Sequence, residues 1–508
     1  MKRVLLVIID ALATRIVGPA MQDGRLPNFS RLAEAGVFRQ ESTAIFPSIT
    51  PAATASLMTG RYPVDHGIAG AFWYDRDSDR VAYYGDDIWV MLNEGIGTYF
   101  EDFLVNLNFT RLQAETLSER VEKAGMTAAV LNYMWFRGET RHDVNTPLLL
   151  QLMPGVSLSD SISGPTITTL GDFVTSRIPD SDEMLSASGG LTRRYGFHDE
   201  TSGEYLLQLA RTSGLPEFTL TYFPNNDWDS HADGPAEAIS TVERVDGIIG
   251  ELIESSGGLD AFLSEHAIVI TGDHSQCDMA DSADDRAIDL DALLEGFDRV
   301  PAGSAWGDTD DLMVCPNLRT AQVYFHCSST QEHRDEVCRR LLSDPHVDQV
   351  LWADPFRSEQ NSRFEVRTAD RGRLSFQPTA DGTEPDCTDL YGNRWSIEGD
   401  LTAIDASIGP DGQVQYGDYP NALERIANGF CRVCGDMWIT ARPGSEFCLS
   451  ETSVHAGGSH GTLHRLDSIS PLIVAGAPDD VEIPPHPRSV DIAPLCLTIL
   501  GVDPPDRL

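Results

Sequence analysis

Arg3-Val4-Leu5-Leu6-Val7-Ile8-Ile9-Asp10 is the stretch on which the fold of this chain turns. Six apolar residues stand in a row there, rich in β-branched types and with no polar alternation. A short unbroken run of this kind reads as a strand buried on both faces, the habit of parallel sheets. Asp10 follows at once, at the carboxyl end, where open α/β sheets gather their ligands. The pattern recurs. Phe218-Thr219-Leu220-Thr221-Tyr222-Phe223 leads into Asp227, and Ala267-Ile268-Val269-Ile270-Thr271 leads into Asp273-His274. Ala128-Ala129-Val130-Leu131-Asn132-Tyr133 supplies a further strand after a helix expected over 112–124, and another helix is expected over 26–35. Apolar strands alternating with helical patterns give an α/β fold, a mostly parallel sheet flanked by helices.

The sequence changes character between about 312 and 418. Val323-Tyr324-Phe325 and Val350-Leu351-Trp352 read as strands, 332–342 as a helix, and short strands punctuated by Gly and Asp follow around 364–376. The expected division is a core of residues 1–311 and 419–508 with a small α+β insertion, a cap domain, at 312–418. Residues 140–215, rich in Gly, Ser and Thr, read as a lid or helical excursion. The core pattern is expected to return with Met437-Trp438-Ile439-Thr440 and Pro471-Leu472-Ile473-Val474-Ala475-Gly476.

Acidic residues number 78 against 37 basic ones, a formal net charge of −41. Lys2 and Lys123 are the only lysines. Nucleic acid polymers are therefore not expected as partners, because phosphate backbones need basic footprints. An acidic, lysine-poor surface suits a high-salt cytoplasm in which screening removes self-repulsion; acidic drift in a GC-rich genome is the alternative. Lys2-Arg3 and the apolar run mimic a secretory leader, but the run is too short and no small-residue cleavage site follows. No stretch approaches the twenty or so apolar residues of a membrane span. The expected location is cytoplasmic. Nine cysteines without regular spacing do not form a secreted disulfide framework. Cys431-x2-Cys434 with Cys448 and His455 offers a structural zinc set, although a second Cys-x2-Cys is missing, and reduced structural thiols are the simpler reading.

The chemistry lies in Asp10, Asp227, His231, Asp273, His274 and His460 together with the hydroxyl of Thr50. Asp and His are ordinary ligands of a catalytic zinc-type ion, and three protein ligands with an open position define such a site. The set suffices for two ions, with Thr50 between them as an activated nucleophile, the apparatus of metal-assisted ester hydrolysis. Asp227 and His231, four residues apart, share a helix face if a helix begins there. Taken singly, these pairs are as well read as surface or hydrogen-bonded pairs. Thr50 before Pro51 suits a helix start, with the positive end of its dipole facing an anion.

The order of the motifs carries a resemblance. Ile8-Ile9-Asp10-Ala11-Leu12, Phe46-Pro47-Ser48-Ile49-Thr50-Pro51 and Leu57-Met58-Thr59-Gly60-Arg61-Tyr62-Pro63-Val64-Asp65-His66-Gly67-Ile68 resemble the opening of the type I phosphodiesterase/nucleotide pyrophosphatase family, within the alkaline phosphatase superfamily. Asp227-x3-His231-x2-Gly234-Pro235, Thr271-Gly272-Asp273-His274 and Gly458-Ser459-His460-Gly461 resemble its later motifs, in family order. The resemblance implies an alkaline-phosphatase-like core and two divalent metal ions, zinc first with Mn2+ or Mg2+ as alternatives. One ion would be held by Asp227, His231 and His460, and the other by Asp10, Asp273 and His274, with Thr50 bridging. The implied activity is hydrolysis of phosphodiester or nucleotide pyrophosphate-type bonds in a small-molecule phosphoester substrate, through a phosphothreonine intermediate.

This chain departs from that pattern at two places. Ala53 stands where many members carry a phosphoryl-binding Asn, and Ala71 where a second Asn often follows. The Thr50 backbone amide or Asn226 is left as a replacement donor. Rival readings within the superfamily are phosphomonoester, phosphonate or sulfate ester hydrolysis. A sulfatase needs Cys/Ser-x-Pro-x-Arg, which Cys315-Pro316-Asn317-Leu318-Arg319 does not match. A catalytically silent metal-binding protein is the rival of another class; retention of Thr50 counts against it. Ser48, Thr54 and Ser56 read as caps or helix-face residues, and His66 and Arg61 as structural. His455 and His464 stand behind the ligand set or on the surface. Trp73, Tyr74 and Tyr84 line a leaving-group pocket or pack in the core.

Overall fold

The computed structural model describes residues 2–85, 96–152, 158–179, 181–302, 304, 306–327, 329–354, 363–450 and 452–504. Its centre is a seven-stranded sheet. The strand order is Gly36–Thr43, Ile469–Ala475, His266–Thr271, Arg3–Ile9, Phe218–Phe223, Ala128–Leu131 and Ile167–Thr169. Arg3–Ile9 lies in the middle and pairs parallel with a neighbour on each side, Ile8 opposite Thr271 and Ile9 opposite Phe223. Its unbroken apolar sequence has a simple cause. Val4, Leu6 and Ile8 pack into one core cluster, and Leu5, Val7 and Ile9 into a second one on the opposite face. Burying each such side chain contributes about 1.5–3 kcal/mol, so neither face tolerates a polar residue. Ile469–Ala475 runs antiparallel to both of its neighbours, which makes the sheet mixed toward that edge.

Parallel pairing in this register brings three strands to a common carboxyl edge. The carboxylates of Asp10, Asp227 and Asp273 leave from that edge. Thr50–Thr59 is a helix started by Pro51 and stopped at Gly60, whose φ of 66° is left-handed. Every residue from Pro51 to Thr59 is buried, and helix Ser489–Leu500 packs along it. The hydroxyl of Thr50 therefore sits at the head of an immobile element.

The second large sheet has nine strands, in the order Arg299–Val300, Leu312–Asn317, Thr320–Phe325, Met437–Ala441, Val347–Asp354, Arg363–Arg367, Arg373–Pro378, Arg394–Gly399 and Cys387–Thr388. One expectation needs correcting here. Met437–Ala441 does not return to the first sheet but lies inside the second, antiparallel to Thr320–Phe325 and to Val347–Asp354. A fully buried apolar strand reads alike in either sheet, so local pattern did not separate the two. Residues 140–215 are likewise not a lid as a whole. Ile167–Thr169 forms the edge strand of the first sheet, and Asp199–Thr212 is a helix packed against its strands Phe218–Phe223 and Ala128–Leu131. The helix expected from 112 begins at Leu117, where Thr116 and Glu119 form a capping box.

Candidate active site

All seven residues singled out by sequence meet at the carboxyl edge of the first sheet. Asp10 ends its strand and turns away through Ala11, whose φ is 53°. Asp227 and His231 lie on helix Asn225–Asp233, which opens directly after Phe218–Phe223. His460 is delivered by the segment 458–463, whose backbone is held from two sides. Its carbonyl accepts from Arg319 N–H at 3.0 Å, and Gly461 C=O accepts from Ser48 N–H at 3.3 Å. Gly461 has φ 129°, and a Cβ there would meet Ile49 at 2.9 Å and the Asn317 carbonyl at 3.1 Å, so glycine is required.

Two clusters emerge, Asp10 with Asp273 and His274, and Asp227 with His274 and His460; the ligand atoms within each lie within 4.8 Å of one another. His231 adjoins the second cluster with its Nε2 3.4 Å from Asp227 Oδ2. His274 is thus shared, whereas the sequence reading gave it to one ion alone. Its Nε2 stands 3.5 Å from Asp10 Oδ1 and 3.4 Å from Asp273 Oδ2, and its ring stacks on His460 at 3.8 Å. Thr50 Oγ1 donates to the same Nε2 at 2.9 Å.

The imidazoles are oriented alike. Nδ1 of His231 donates to Gly458 C=O at 2.8 Å, Nδ1 of His460 to Ser48 C=O at 2.8 Å, and Nδ1 of His274 to Ser275 C=O at 3.1 Å. A carbonyl can only accept, so each neutral ring presents its Nε2 lone pair to the centre, the arrangement found behind metal ligands. Burial holds the His460 pKa well below its ordinary value.

The carboxylates supply the test of fit to a cation. Asp10 Oδ1 and Asp273 Oδ2 are buried without a hydrogen-bond partner. Burial first, then Asp273 and Asp227, push Asp10 well above the usual carboxylate range, and burial raises Asp273. Burial alone would raise Asp227 too, but His231, His460 and His274 together hold it low. Buried, convergent, unpartnered carboxylate oxygens are costly unless a cation neutralises them. Hard and borderline divalent ions fit this donor set of carboxylate oxygens and imidazole nitrogens.

Two groups around the ligands, Tyr222 and Gln276, carried no sequence signal, whereas His455 was expected behind the set. Tyr222 OH donates to Asp10 Oδ2, and Gln276 Nε2 donates to Asp227 Oδ1. The ring of His455 lies 4.1 Å from that of His231, and Glu446 accepts from His455 Nδ1 at 3.1 Å. Asn226 is corrected as a phosphoryl donor, because its amide is spent on the carbonyls of Asp10 at 2.8 Å and Ala11 at 3.1 Å. The Thr50 N–H keeps its candidacy, since the first amides of a helix have no intrahelical acceptor.

The other hydroxyls and aromatics are structural. Ser48 Oγ donates to Thr462 C=O, Ser56 binds His66, and Thr54 Oγ1 accepts from Trp135 Nε1. Trp73, Tyr74 and Tyr84 are buried in the core. His464 caps helix Arg465–Ser468. Cys315 is buried inside a strand and burial drives its thiol pKa up, which removes it as a nucleophile. The zinc set suggested for Cys431, Cys434, Cys448 and His455 does not form. Cys448 turns to Ile288 and His455 to Glu446, and among the described residues only the two clusters above could hold a metal.

The family model for type I phosphodiesterase / nucleotide pyrophosphatase matches residues 4–463. The chain belongs to that family. It is therefore an enzyme of the hydrolase class, and no curated protein matches it in sequence. Murine ectonucleotide pyrophosphatase / phosphodiesterase 5, solved in complex with AMP, is 13% identical with a TM-score of 0.57, covering 100% of this chain and 97% of that one. The human counterpart is 14% identical with a TM-score of 0.55, with coverage of 100% and 97%. Phosphonoacetate hydrolase from Sinorhizobium meliloti 1021, solved with phosphonoformate, is 17% identical with a TM-score of 0.57, with coverage of 98% and 96%. At such identities the likeness establishes a shared fold, the alkaline-phosphatase-like one. No described helix of this family member is long and apolar enough to cross a membrane.

Proposed function

We propose that this family member hydrolyses phosphodiester or pyrophosphate-type bonds with Thr50 as nucleophile and a pair of divalent ions, zinc first among them. Asp10, Asp273 and His274 would hold one ion and Asp227, His231 and His460 the other. The observation that carries the reading is the pair of buried, unpartnered oxygens, Asp10 Oδ1 and Asp273 Oδ2, beside a hydroxyl bonded to His274. When bound, the ions would neutralise phosphoryl charge and make the Thr50 hydroxyl more acidic.

The Thr50 Oγ1 proton passes to solvent as Oγ1 attacks phosphorus, so the Oγ1–P bond forms while the bond to the departing oxygen breaks, and that oxygen leaves as an anion or takes a proton from water. Water then attacks the phosphothreonine, freeing Thr50 and the second product. The head of helix Thr50–Thr59 turns N–H groups toward the anion throughout. Ala53 in place of an Asn and the scarcity of lysine leave few donor or positive groups for a dianionic phosphate. Aryl phosphodiesters should therefore exceed matching monoesters in kcat/KM by at least about tenfold, about 1.4 kcal/mol. The acidic surface supports placing the enzyme in a cytoplasm of high salt.

Thr50→Ala tests the reading. Turnover of an aryl phosphodiester should fall by about a thousandfold or more, with zinc content and folding retained. Turnover near that of the parent chain would move the nucleophile elsewhere.

A further inference from the structure

Arg194 lies outside the ligand set, on a turn whose backbone is costly to hold. Arg194 and Tyr195 both occupy the left-handed region, with φ/ψ of 49°/45° and 54°/36°. That conformation is costly for residues with a Cβ and persists only where surroundings enforce it. Here they do. Tyr195 N–H donates to Gly190 C=O at 2.9 Å, and Asp172 N–H donates to Tyr195 C=O at 2.7 Å. Gly171 approaches so closely that a Cβ there would lie 2.1 Å from the Tyr195 carbonyl.

The turn sends the guanidinium to the helix that carries Asp227 and His231. Arg194 Nη2 donates to Asn225 Oδ1, and its Cζ lies 4.8 Å from the ring centroid of Trp228. Trp228 follows Asp227 directly and is 47% exposed, so this cation–π pair forms a solvent-facing edge beside the ligands. No carboxylate among the described residues forms an ion pair with Arg194, although Asp199, Asp227 and Asp229 all contribute to its electrostatic surroundings. In a chain of net charge −41, this leaves a partly exposed guanidinium beside the ligand set with no ion-pair partner among the described residues.

Thr50 bonds to His274, and an in-line displacement sends the departing group away from Thr50. With Thr50 beside the group Asp10, Asp273 and His274, the group Asp227, His231 and His460 would face the departing fragment. We propose that Arg194, steadied on Trp228, receives a second anionic group on the departing fragment. The preferred substrates are then those whose leaving group carries its own phosphoryl or carboxylate charge, as in pyrophosphate-type diesters. This specificity rests on the phosphoester hydrolase reading of the site. Arg is suited to the task, because its planar fork binds oxyanions through two parallel N–H donors.

The test uses the full chain loaded with zinc, as the parent, Arg194→Gln and Arg194→Lys forms. Dissociation constants for pyrophosphate and inorganic phosphate are measured together with kcat/KM for a dinucleotide pyrophosphate and an aryl phosphodiester without a second charge. A third pair, phosphonoacetate against methylphosphonate as binding probes, separates a carboxylate from a phosphoryl source. Arg194→Gln should lower the preference for the doubly anionic partner by about tenfold or more in binding and in kcat/KM, with Arg194→Lys recovering part of it. An unchanged preference in Arg194→Gln, or no preference in the parent chain, overturns the assignment. If the parent cleaves neither substrate yet the binding preference still falls in Arg194→Gln, the hydrolase reading fails and the anion site stands.

Discussion

Replacing Tyr222 by Phe removes a single oxygen and should cost the centre much of its hold on metal. The Tyr222 hydroxyl donates to Asp10 Oδ2, while Asp10 Oδ1 has no hydrogen-bond partner at all. Both residues are buried, 7% and 4% exposed, so water cannot replace the lost donor without repacking. A hydrogen bond to a charged group is worth about 1.5–3 kcal/mol. At about 1.4 kcal/mol per tenfold, zinc affinity should fall about ten- to hundredfold, the usual range for a residue that orients a ligand. The metal-free chain should suffer less. Burial, Asp273 and Asp227 raise the Asp10 pKa, so without a cation the carboxyl is held toward its neutral form and the bond from Tyr222 is an ordinary one of about 1 kcal/mol. Competition against a chromophoric chelator gives the affinity, and denaturant unfolding of the stripped chain gives the stability. An affinity within about twofold of the parent, or a loss confined to the stripped chain's stability, would refute the reasoning.

Three further outcomes follow from other parts of the molecule. His66 is buried with its pKa pushed down to about 3 by burial, so the unfolded chain takes up a proton below its ordinary 6.5 that the folded chain refuses. Stability attributable to it should fall as pH drops from 6.5 toward 3, by up to about 1.4 kcal/mol per unit, and the difference between parent and His66→Gln unfolding curves should show this slope. Arg319 and Asp467 form an ion pair with no exposed side-chain surface, so Arg319→Met alone should cost about 3–5 kcal/mol, whereas Arg319→Met with Asp467→Leu should cost less than the two singles summed, as read by denaturant unfolding of the metal-free chain. The net charge of −41 implies self-repulsion when unscreened, so the melting temperature should climb by several degrees from low to molar potassium chloride; a flat response would favour compositional drift.

Most of the ligand set was legible because its members are tied to features that local sequence displays, while His460 was legible through the motif resemblance. Asp10 ends an unbroken apolar strand, Asp227 and Asp273-His274 follow two more, and Thr50 precedes a proline that marks a helix start. Tyr222 was hidden within the apolar run Phe218–Phe223, where a tyrosine looks like any other strand-former. Arg194 was hidden for a different reason. Its placement comes from two left-handed residues in a segment without periodicity, and nothing in Leu191-Thr192-Arg193-Arg194-Tyr195-Gly196 announces them. The sharing of His274 between two clusters depends on distances of a few ångströms that spacing along the chain does not encode. Strand direction was equally hidden, since Ile469–Ala475 reads the same whether it runs with its neighbours or against them.

The position of Met437–Ala441 between Thr320–Phe325 and Val347–Asp354 bears on how the chain can be cut and how it is made. Excising residues 312–418 would not release a self-sufficient core. It would remove both partners of Met437–Ala441 and leave a five-residue apolar strand with two naked edges, a template for aggregation. On the ribosome the same interlock works in reverse. The strands from 312 to 354 must wait for a segment some eighty residues further along before their sheet can close, just as Arg3–Ile9 waits for Phe218–Phe223. A growing chain in that interval presents two unfinished sheets at once, so its yield in a foreign host is set by what shields those edges during synthesis.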